Sequence, residues 1–356
     1  MKPSLFDYLR IAGLFARLKL LNLRSRLPPL AGGVLDEQIA LMRRGQELLG
    51  EIPLDTLSPT KAREDFRKTF GLLKMAGGTF EKAASVRDLV IPGPDGTIPS
   101  RGQTGINARL YLPGKNGGYP LFVFLHGGGW VVGGLDSADN MASFICRHAG
   151  CAVLSVDYRL APEHAFPAGL EDAYAAVTWA AGHAAELGAD PGRVLVGGDS
   201  AGGNLSAVVA QLARQKGTPL ISGQVLFYAG LDGAHLDTSS YKDFGEKSLG
   251  LSRRDVEWYL EQYTPEPQDR LDPRISPLLA KDLSGLPPAL VVTAEFDVLR
   301  DEGEAYARRL QDAGVKVKLM RCNGMTHGFL TAIGLIRMAT MYFEEIAGEI
   351  RKMTGE

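Results

Sequence analysis

Residues 196–203 read VGGDSAGG, and this stretch decides the fold class. An apolar run, RVLV at residues 193–196, leads into it, and a helix-compatible run, NLSAVVA at residues 204–210, follows at once. So sharp a turn from strand to helix forces Ser200 into a strained backbone conformation. The glycines two residues before and after it let neighbouring chain segments approach without a Cβ clash. The arrangement predicts a nucleophile elbow, with the serine hydroxyl held clear of the sheet.

The same Gly-x-Ser-x-Gly pattern can also form an ordinary glycine-rich turn, because the chain holds 43 glycines among 356 residues. The surrounding pattern favours the elbow. From residue 121 onward, short apolar runs alternate with helical stretches, which predicts an α/β fold with a mostly parallel sheet covered on both faces. The strand-like runs occupy residues 121–125, 152–156, 194–196, 224–227, 289–293 and 315–319.

The rest of the chain suggests a cap and an antiparallel edge. Residues 36–76 carry two amphipathic patterns, the second capped by Ser58 with Pro59 in its first turn. Strand-like segments at residues 86–91 and 107–112 flank a turn-rich stretch, which predicts an antiparallel pair. Residues 230–288 are too many for a simple crossover, so we expect an inserted segment over the carboxyl edge of the sheet, where ligands of such sheets bind.

These patterns divide the chain into three parts. We expect an extra amphipathic element, then helices of a cap, then a catalytic domain that contains the inserted cap segment. The bounds are residues 1–34, 35–80 and 81–356, with the insertion near residues 230–288.

The amino-terminal element is basic, with six Lys and Arg side chains against one acid in residues 1–30. Arg10, Arg17 and Arg24 recur every seven residues and so share one helical face. Charges interrupt every apolar run, which argues against a secretory signal. We expect this element to pack on the cap or on a second copy in a homodimer. Contact of residues 1–30 with an anionic membrane surface is the alternative.

Composition restricts the partners. A net charge of −2 gives no support to a nucleic-acid partner. The sequence contains no run of 18 apolar residues, so we expect no transmembrane helix. Cys146, Cys151 and Cys322 form no CxxC pattern, so we expect buried or reduced thiols in a cytoplasmic protein. The histidines have no ligand-like spacing, and no metal or organic cofactor is expected.

A serine nucleophile needs a base, and in this fold the order along the chain is serine, acid, histidine. Two histidines, His235 and His327, follow Ser200 in the chain. His235 lies in the expected insertion, whereas His327 comes eight residues after the last strand-like run, which ends at Leu319. We therefore expect His327 to be the base.

The acid should lie in the loop after residues 289–293. Glu295, Asp297 and Asp301 all occur there, and spacing alone does not choose among them. Asp301 fits better as an acid in the first turn of the next helix, where the helix dipole favours a negative charge.

Residues 126–130 read HGGGW and follow the first strand of the alternating pattern. A triple glycine lets backbone N–H groups turn toward an oxyanion, and the residue after the nucleophile, Ala201, completes such a site. A flexible phosphate-binding loop is the alternative, but neither a lysine nor a Ser/Thr pair follows to bind phosphate and metal. His126 itself is expected to be structural.

At this point the chain resembles the hormone-sensitive-lipase-like carboxylesterases, bacterial family IV. The motifs that carry the resemblance, in chain order, are HGGGW at 126–130, DYRLAPE at 157–163, GDSAGG at 198–203, DVLRDEG at 297–303 and HGF at 327–329. The resemblance covers roughly residues 35–350. It implies an α/β-hydrolase core, with an eight-stranded type of sheet, under a helical cap.

The resemblance also implies roles for individual residues. Ser200 would be the nucleophile, His327 the base and Asp297 the orienting acid, and Gly128, Gly129 and Ala201 would form the oxyanion hole. The implied substrate is a small ester, with short to medium acyl chains. An amidase with the same triad, a peripheral lipase that uses residues 1–30, and a binding protein on this fold are the alternatives. The first 34 residues and the stretch near residues 100–106 depart from the family pattern.

Overall fold

A computed structural model describes Gly13 and residues 33–355, apart from residues 50–51, 77–81, 95–104, 115, 219–220 and 247–248. The expectations for residues 1–30, including those of homodimer and membrane contact, fall outside the described residues. Most of the stretch near residues 100–106 does so as well.

One eight-stranded sheet forms the centre of the molecule, in the order β1-β2-β4-β3-β5-β6-β7-β8. The strands are β1 (Ser85–Ile91), β2 (Ile106–Leu112), β3 (Tyr119–Leu125), β4 (Ala152–Asp157), β5 (Ala189–Asp199), β6 (Gly223–Phe227), β7 (Ala289–Phe296) and β8 (Val317–Thr326). Strand β2 runs antiparallel to both of its neighbours, and the pairs from β4 to β8 are parallel. The predicted α/β fold, its mostly parallel sheet and its antiparallel first pair are confirmed.

Helices cover both faces of this sheet. The helices are α1 (Glu37–Leu49), α2 (Pro59–Ala76), α3 (Leu135–Ala149), α4 (Ala168–Gly182), α5 (Ala201–Lys216), α6 (Ser239–Phe244), α7 (Arg253–Tyr263), α8 (Arg300–Asp312) and α9 (Arg337–Thr354). Helices α3 and α9 pack on one face, where the rings of Phe144 and Phe343 stack 4.5 Å apart. Helices α4, α5 and α8 pack on the other face. Because water reaches neither face, the central strands consist of wholly buried aliphatic and aromatic residues.

The last strand differs from its predicted bounds. The apolar pattern predicts residues 315–319, but Val315 belongs to the end of helix α8, since its N–H donates to the carbonyl of Leu310 at 2.9 Å and Gly314 is left-handed. Strand β8 begins at Val317 and continues to Thr326 through an irregular register beside β7. His327 therefore follows its strand directly rather than after a loop of eight residues.

The three cysteines are buried and none forms a disulfide. Burial raises the pKa of the Cys146 thiol to about 12, so it stays protonated at neutral pH. No helix among the described residues combines the length and the apolar character needed to cross a bilayer.

Candidate active site

Ser200 occupies a sharp turn between β5 and α5. Its φ of 52° lies in the left-handed region, which a side chain with a Cβ rarely adopts. Its N–H donates to the carbonyl of Phe227 at 2.9 Å, which fixes the turn to the neighbouring strand. Cβ atoms at Gly198 and Gly202 would lie 2.1 Å and 1.9 Å from the carbonyl oxygen of Leu125. Both positions therefore require glycine, because the end of β3 passes directly against the turn.

The structure brings Ser200, His327 and Asp297 into one hydrogen-bonded row. The Nε2 atom of His327 lies 3.0 Å from the Oγ of Ser200, and its Nδ1 lies 2.8 Å from the Oδ2 of Asp297. The other oxygen of Asp297 accepts the N–H of Leu299 at 3.0 Å, and the carboxylate is 2% exposed. This geometry holds the imidazole in one orientation, with its second nitrogen facing the serine.

The other two carboxylates of the loop are engaged elsewhere. Glu295 accepts the backbone N–H groups of Gly33 and Gly324, which fastens the chain before α1 to the end of β8. Asp301 accepts the N–H of Ser240 at 2.8 Å and pairs with Arg300. The two side chains therefore hold the segments at the starts of α1 and α6 in place.

The turn after β3, residues 126–130, lines the same cavity as Ser200, and we call it the oxyanion turn. Gly128 and Gly129 have φ values of 117° and 57°, which turn the chain sharply away from the strand direction. Within the described residues, the N–H groups of Gly128, Gly129 and Ala201 donate to no other group. Because these three residues line the same cavity as Ser200, their N–H groups are the candidate donors to an oxyanion.

His126, the first residue of this turn, is held by contacts with Tyr158 and Gly127. Its ring stacks on Tyr158 at 4.3 Å, and its Nδ1 contacts the carbonyl oxygen of Gly127 at 2.8 Å. Burial lowers the pKa of His126, so the ring is neutral at physiological pH. A buried, neutral ring fits the structural role expected for it from the sequence.

Two residues that the sequence reasoning left without a role hold the oxyanion turn. The hydroxyl of Tyr158 donates to the carbonyl of His126 at 2.7 Å. Arg63, on α2, donates to the carbonyls of Val131 and Ala161 and forms an ion pair with Glu163. Tyr158, Ala161 and Glu163 all belong to the DYRLAPE motif at residues 157–163, so this motif was the sequence signal for these contacts.

Asp199 precedes the nucleophile and is partly buried. Its Oδ1 accepts the N–H of Gly127 at 2.8 Å, which joins the elbow to the oxyanion turn. Burial raises the pKa of Asp199 from its ordinary 3.8 to about 6, against the opposing effects of the Gly127 N–H and the nearby His327.

A cavity of 260 Å³ opens at Ser200 and His327. The oxyanion turn forms one side, and helices α1, α2, α6 and α7 contribute Met42, Phe66, Tyr241 and Tyr259. The ring of Tyr259 lies so close to Gly129 that a Cβ there would be 2.1 Å from it. In the described part of the chain, no cluster of three or more His, Cys, Asp or Glu side chains could hold a metal ion.

Comparisons with known proteins agree with this fold. A family model described as alpha/beta hydrolase fold matches residues 122–331. The carboxylic ester hydrolase LipN of Mycobacterium tuberculosis is 53% identical over 256 residues, which are 70% of this chain and 65% of LipN. The ethyl acetate hydrolase of Pseudomonas putida is 38% identical over 85% of this chain and 92% of its own.

Solved structures show the same relationship. A hyperthermophilic esterase from the archaeon Pyrobaculum calidifontis superposes with a TM-score of 0.82 and 39% identity, covering 90% of this chain and 99% of that one. These matches confirm the resemblance that the five motifs indicate. This chain belongs to the alpha/beta hydrolase family, in its hormone-sensitive-lipase-like branch.

Proposed function

We propose that this protein is a serine carboxylesterase that hydrolyses short- to medium-chain acyl esters through an acyl-enzyme. One observation carries the proposal: the unbroken row Ser200–His327–Asp297 opens into a cavity that Gly128, Gly129 and Ala201 also line. The printed names of the relatives, which include carboxylic ester hydrolase and ethyl acetate hydrolase, support it.

In the first step, His327 takes the proton of Ser200 through Nε2 while Oγ attacks the ester carbonyl carbon. The carbonyl oxygen becomes an oxyanion, which accepts hydrogen bonds from the N–H groups of Gly128, Gly129 and Ala201. Asp297 stabilises the imidazolium without taking its proton. The imidazolium then protonates the leaving alkoxide, and the acyl group remains on Oγ.

In the second step, water takes the place of the alcohol. His327 removes a proton from water, and the resulting hydroxide attacks the acyl carbon to form a second oxyanion at the same N–H groups. When this intermediate collapses, the carboxylic acid leaves and Oγ regains its proton from His327.

The size of the cavity supports the chain-length preference. A volume of 260 Å³ lies at the small end of ligand pockets. Its apolar walls fit a short acyl chain, and a long chain would have to displace side chains of the cap. We therefore expect hydrolysis to be fastest for acetyl to hexanoyl esters.

The test is hydrolysis of p-nitrophenyl esters from acetate to palmitate by wild type, Ser200→Ala and Ser137→Ala. Ser137 also lines the cavity, but its hydroxyl donates to the carbonyl of Gly134, so its variant controls for loss of any serine there. We expect loss of activity in Ser200→Ala alone, by about 10⁶-fold in kcat. Folded wild type that hydrolyses no ester would sink the proposal, and a maximum at palmitate would favour a lipase.

A further inference from the structure

Tyr228 directly follows β6 and has a strained backbone. Its φ is 36°, and three described residues other than glycine have such a left-handed value: Trp130, Ser200 and Tyr228. Trp130 ends the oxyanion turn and Ser200 forms the elbow, so two of the three belong to the site. A bulky side chain persists in this conformation where its surroundings hold it there, and such strain clusters at functional sites. The strain at Tyr228 therefore points to a role in the same site.

The left-handed backbone changes the face of the sheet on which the Tyr228 side chain lies. Successive side chains of a strand point to opposite faces. Phe227 packs in the core on the α3 and α9 face, and Leu226 packs on the other face. Regular alternation would place Tyr228 beside Leu226, but it packs in the same core as Phe227 and is 2% exposed. The turn thus brings the ring to the face where Phe329, two residues after His327, is also buried.

At that place the ring of Tyr228 packs against the proposed base. The ring centroids of Tyr228 and His327 are 5.1 Å apart, and the ring planes are inclined at 66°. Phe329 also packs against Tyr228, with centroids 5.6 Å apart and planes inclined at 61°. Tilted aromatic pairs at such distances attract each other beyond what the burial of their area provides. The imidazole therefore has a buried aromatic neighbour in addition to its two hydrogen bonds.

The backbone around Tyr228 is tied to the other two members of the row. The carbonyl of Phe227, the preceding residue, accepts the N–H of Ser200 at 2.9 Å. The N–H of Tyr228 donates to the carbonyl of Val292 at 2.7 Å, and Val292 lies on β7, which ends just before Asp297. The end of β6 thus holds the nucleophile through a carbonyl, contacts the base through a ring and is fastened to the strand that leads to the acid.

The contribution of Tyr228 comes from its ring and not from its hydroxyl. Of the described residues, Met141 lines the cavity and Tyr228 does not. The phenol donates to the Sδ of Met141 at 3.9 Å, and a thioether is a weak acceptor. Burial, together with the nearby carboxylates of Asp199 and Asp297, holds the pKa of Tyr228 well above its ordinary value, so the phenol stays neutral.

We propose that Tyr228 is a positioning residue for His327. Its ring sets the tilt of the imidazole, so that both ring nitrogens face their partners in the row at the same time. The inference rests on the proposed esterase function and adds a residue that the two-step mechanism does not use. Hydrogen bonds weaken steeply as their angle bends, so an imidazole that tilts loses one of its two partners. Small displacements of a reacting group are costly, because proton transfer and attack need close and aligned atoms.

The test removes the ring and follows kcat and KM on p-nitrophenyl esters from acetate to octanoate. Tyr228→Leu should lower kcat by about tenfold to a hundredfold, equally for every ester, with KM unchanged. Tyr228→Phe keeps the ring and should keep kcat. Tyr228→Met is a second variant without a ring, and its flexible side chain fills gaps if the leucine variant does not fold.

The value of kcat is expressed per active serine, which is counted by titration with a p-nitrophenyl alkylphosphonate. An unfolded fraction of a variant then does not lower kcat, so a loss of stability alone cannot imitate the expected result.

Phe343→Leu is the matched control. Phe343 is wholly buried in the same core, and among the described residues its ring contacts those of Phe144 and Phe227. Its variant also loses a buried ring, and its melting temperature should fall as that of Tyr228→Leu does. Its kcat per active serine should stay at the wild-type value.

Full kcat in folded Tyr228→Leu, with wild type active on esters, would overturn the positioning role and leave the esterase proposal intact. An equal loss in Tyr228→Phe would also overturn it, because the hydroxyl and not the ring would then be required. An equal loss in Phe343→Leu would reduce the effect to general packing of the core. Folded wild type that hydrolyses no ester would remove both proposals together.

Discussion

The turns around Ser200 are built by different means from helices α1, α2, α6 and α7, which line the cavity and which we call the cap. Around the nucleophile, backbone meets backbone: Gly198 and Gly202 lie against the carbonyl of Leu125, and the Ser200 N–H is fixed to Phe227. In the cap, side chains from separate helices converge on the cavity, as Phe66 and Tyr259 do. Backbone contacts leave almost no freedom of residue choice, whereas side-chain walls can change in size. The comparison suggests that the turns carry the chemistry and the cap sets the substrate.

The two regions are nevertheless joined at defined points. Trp130, at the end of the oxyanion turn, stacks on Tyr263 of α7 with ring centroids 4.5 Å apart. Arg63 of α2 donates to the carbonyl of Val131 at 2.8 Å. Variants that affect only one region show how far chemistry and substrate choice separate.

The largest effect is expected at the acid. Asp297→Asn keeps the shape of the side chain but favours the wrong tautomer of His327, so kcat should fall about 10⁴-fold with little change in KM. Steady-state kinetics on p-nitrophenyl butyrate measure this.

Glu295→Gln is the matched control for that variant, because Glu295 lies two residues before Asp297 and binds the backbone N–H groups of Gly33 and Gly324 instead. Its kcat should stay within a few-fold of wild type, with unfolding easier by about 1 kcal/mol. If Glu295→Gln lost as much kcat as Asp297→Asn, the acid would be misassigned.

A somewhat smaller effect is expected at the elbow. Gly202→Ala would place a Cβ 1.9 Å from the Leu125 oxygen, so the backbone must shift although alanine favours helices. We expect a stability loss of about 3 kcal/mol and a fall in kcat of at least about 10².

Gly182→Ala serves as its control, since Gly182 ends α4 and a Cβ there meets no atom within 4 Å. Thermal unfolding of the two variants side by side checks the expectation. Equal and small effects would show that the elbow tolerates a side chain, and the contrast between rigid turns and adaptable cap would fail.

The division between backbone contacts around Ser200 and side-chain walls in the cap also decides which features could be predicted from the sequence. Gly-x-Ser-x-Gly and the HGGGW turn can be read from sequence because close backbone approach admits only glycine, and the structure places their residues at one cavity. The fold was predictable as well, since buried parallel strands are continuous apolar runs. The choice of Asp297 over Glu295 and Asp301 needed the family resemblance, because all three carboxylates lie in one loop.

Other features could not be predicted from the chain alone. The end of β8 at Thr326 depends on pairing with β7 across an irregular register, which no local pattern encodes. Tyr241 and Glu302 are 61 residues apart, yet both line the cavity, which arises from tertiary packing alone. Arg63 reads as one of several charges on an amphipathic helix until its carbonyl partners are known.

The titration of Asp199 gives a further test of the elbow region, in which the charge of a side chain changes and its shape does not. Its pKa of about 6 exceeds the ordinary 3.8, so between these values the folded protein holds a proton that the unfolded chain has lost. The contribution of this group to stability therefore falls as pH rises from about 4 to about 6, by about 2 kcal/mol in total. Asp199→Asn removes this titration.

Urea unfolding of wild type and Asp199→Asn at intervals from pH 4 to pH 7 measures the difference. The variant should gain stability relative to wild type as pH rises, and the gain should level off above pH 6. A difference that is constant over this range would show that Asp199 is ionised throughout.

The smallest expected effect is at Tyr259, the place where the cap and the oxyanion turn touch. Its ring lines the cavity and lies against Gly129, so Tyr259→Ala should enlarge the pocket. We expect kcat/KM to fall about tenfold for p-nitrophenyl acetate, through lost contacts, and to fall less or to rise for octanoate. Tyr259→Phe keeps the ring and should match wild type. A shift in chain-length preference would mean that the cap acts on substrate size alone. A uniform loss along the whole ester series, confined to kcat, would mean that the ring holds the oxyanion turn in place, and the cap would then take part in the chemistry.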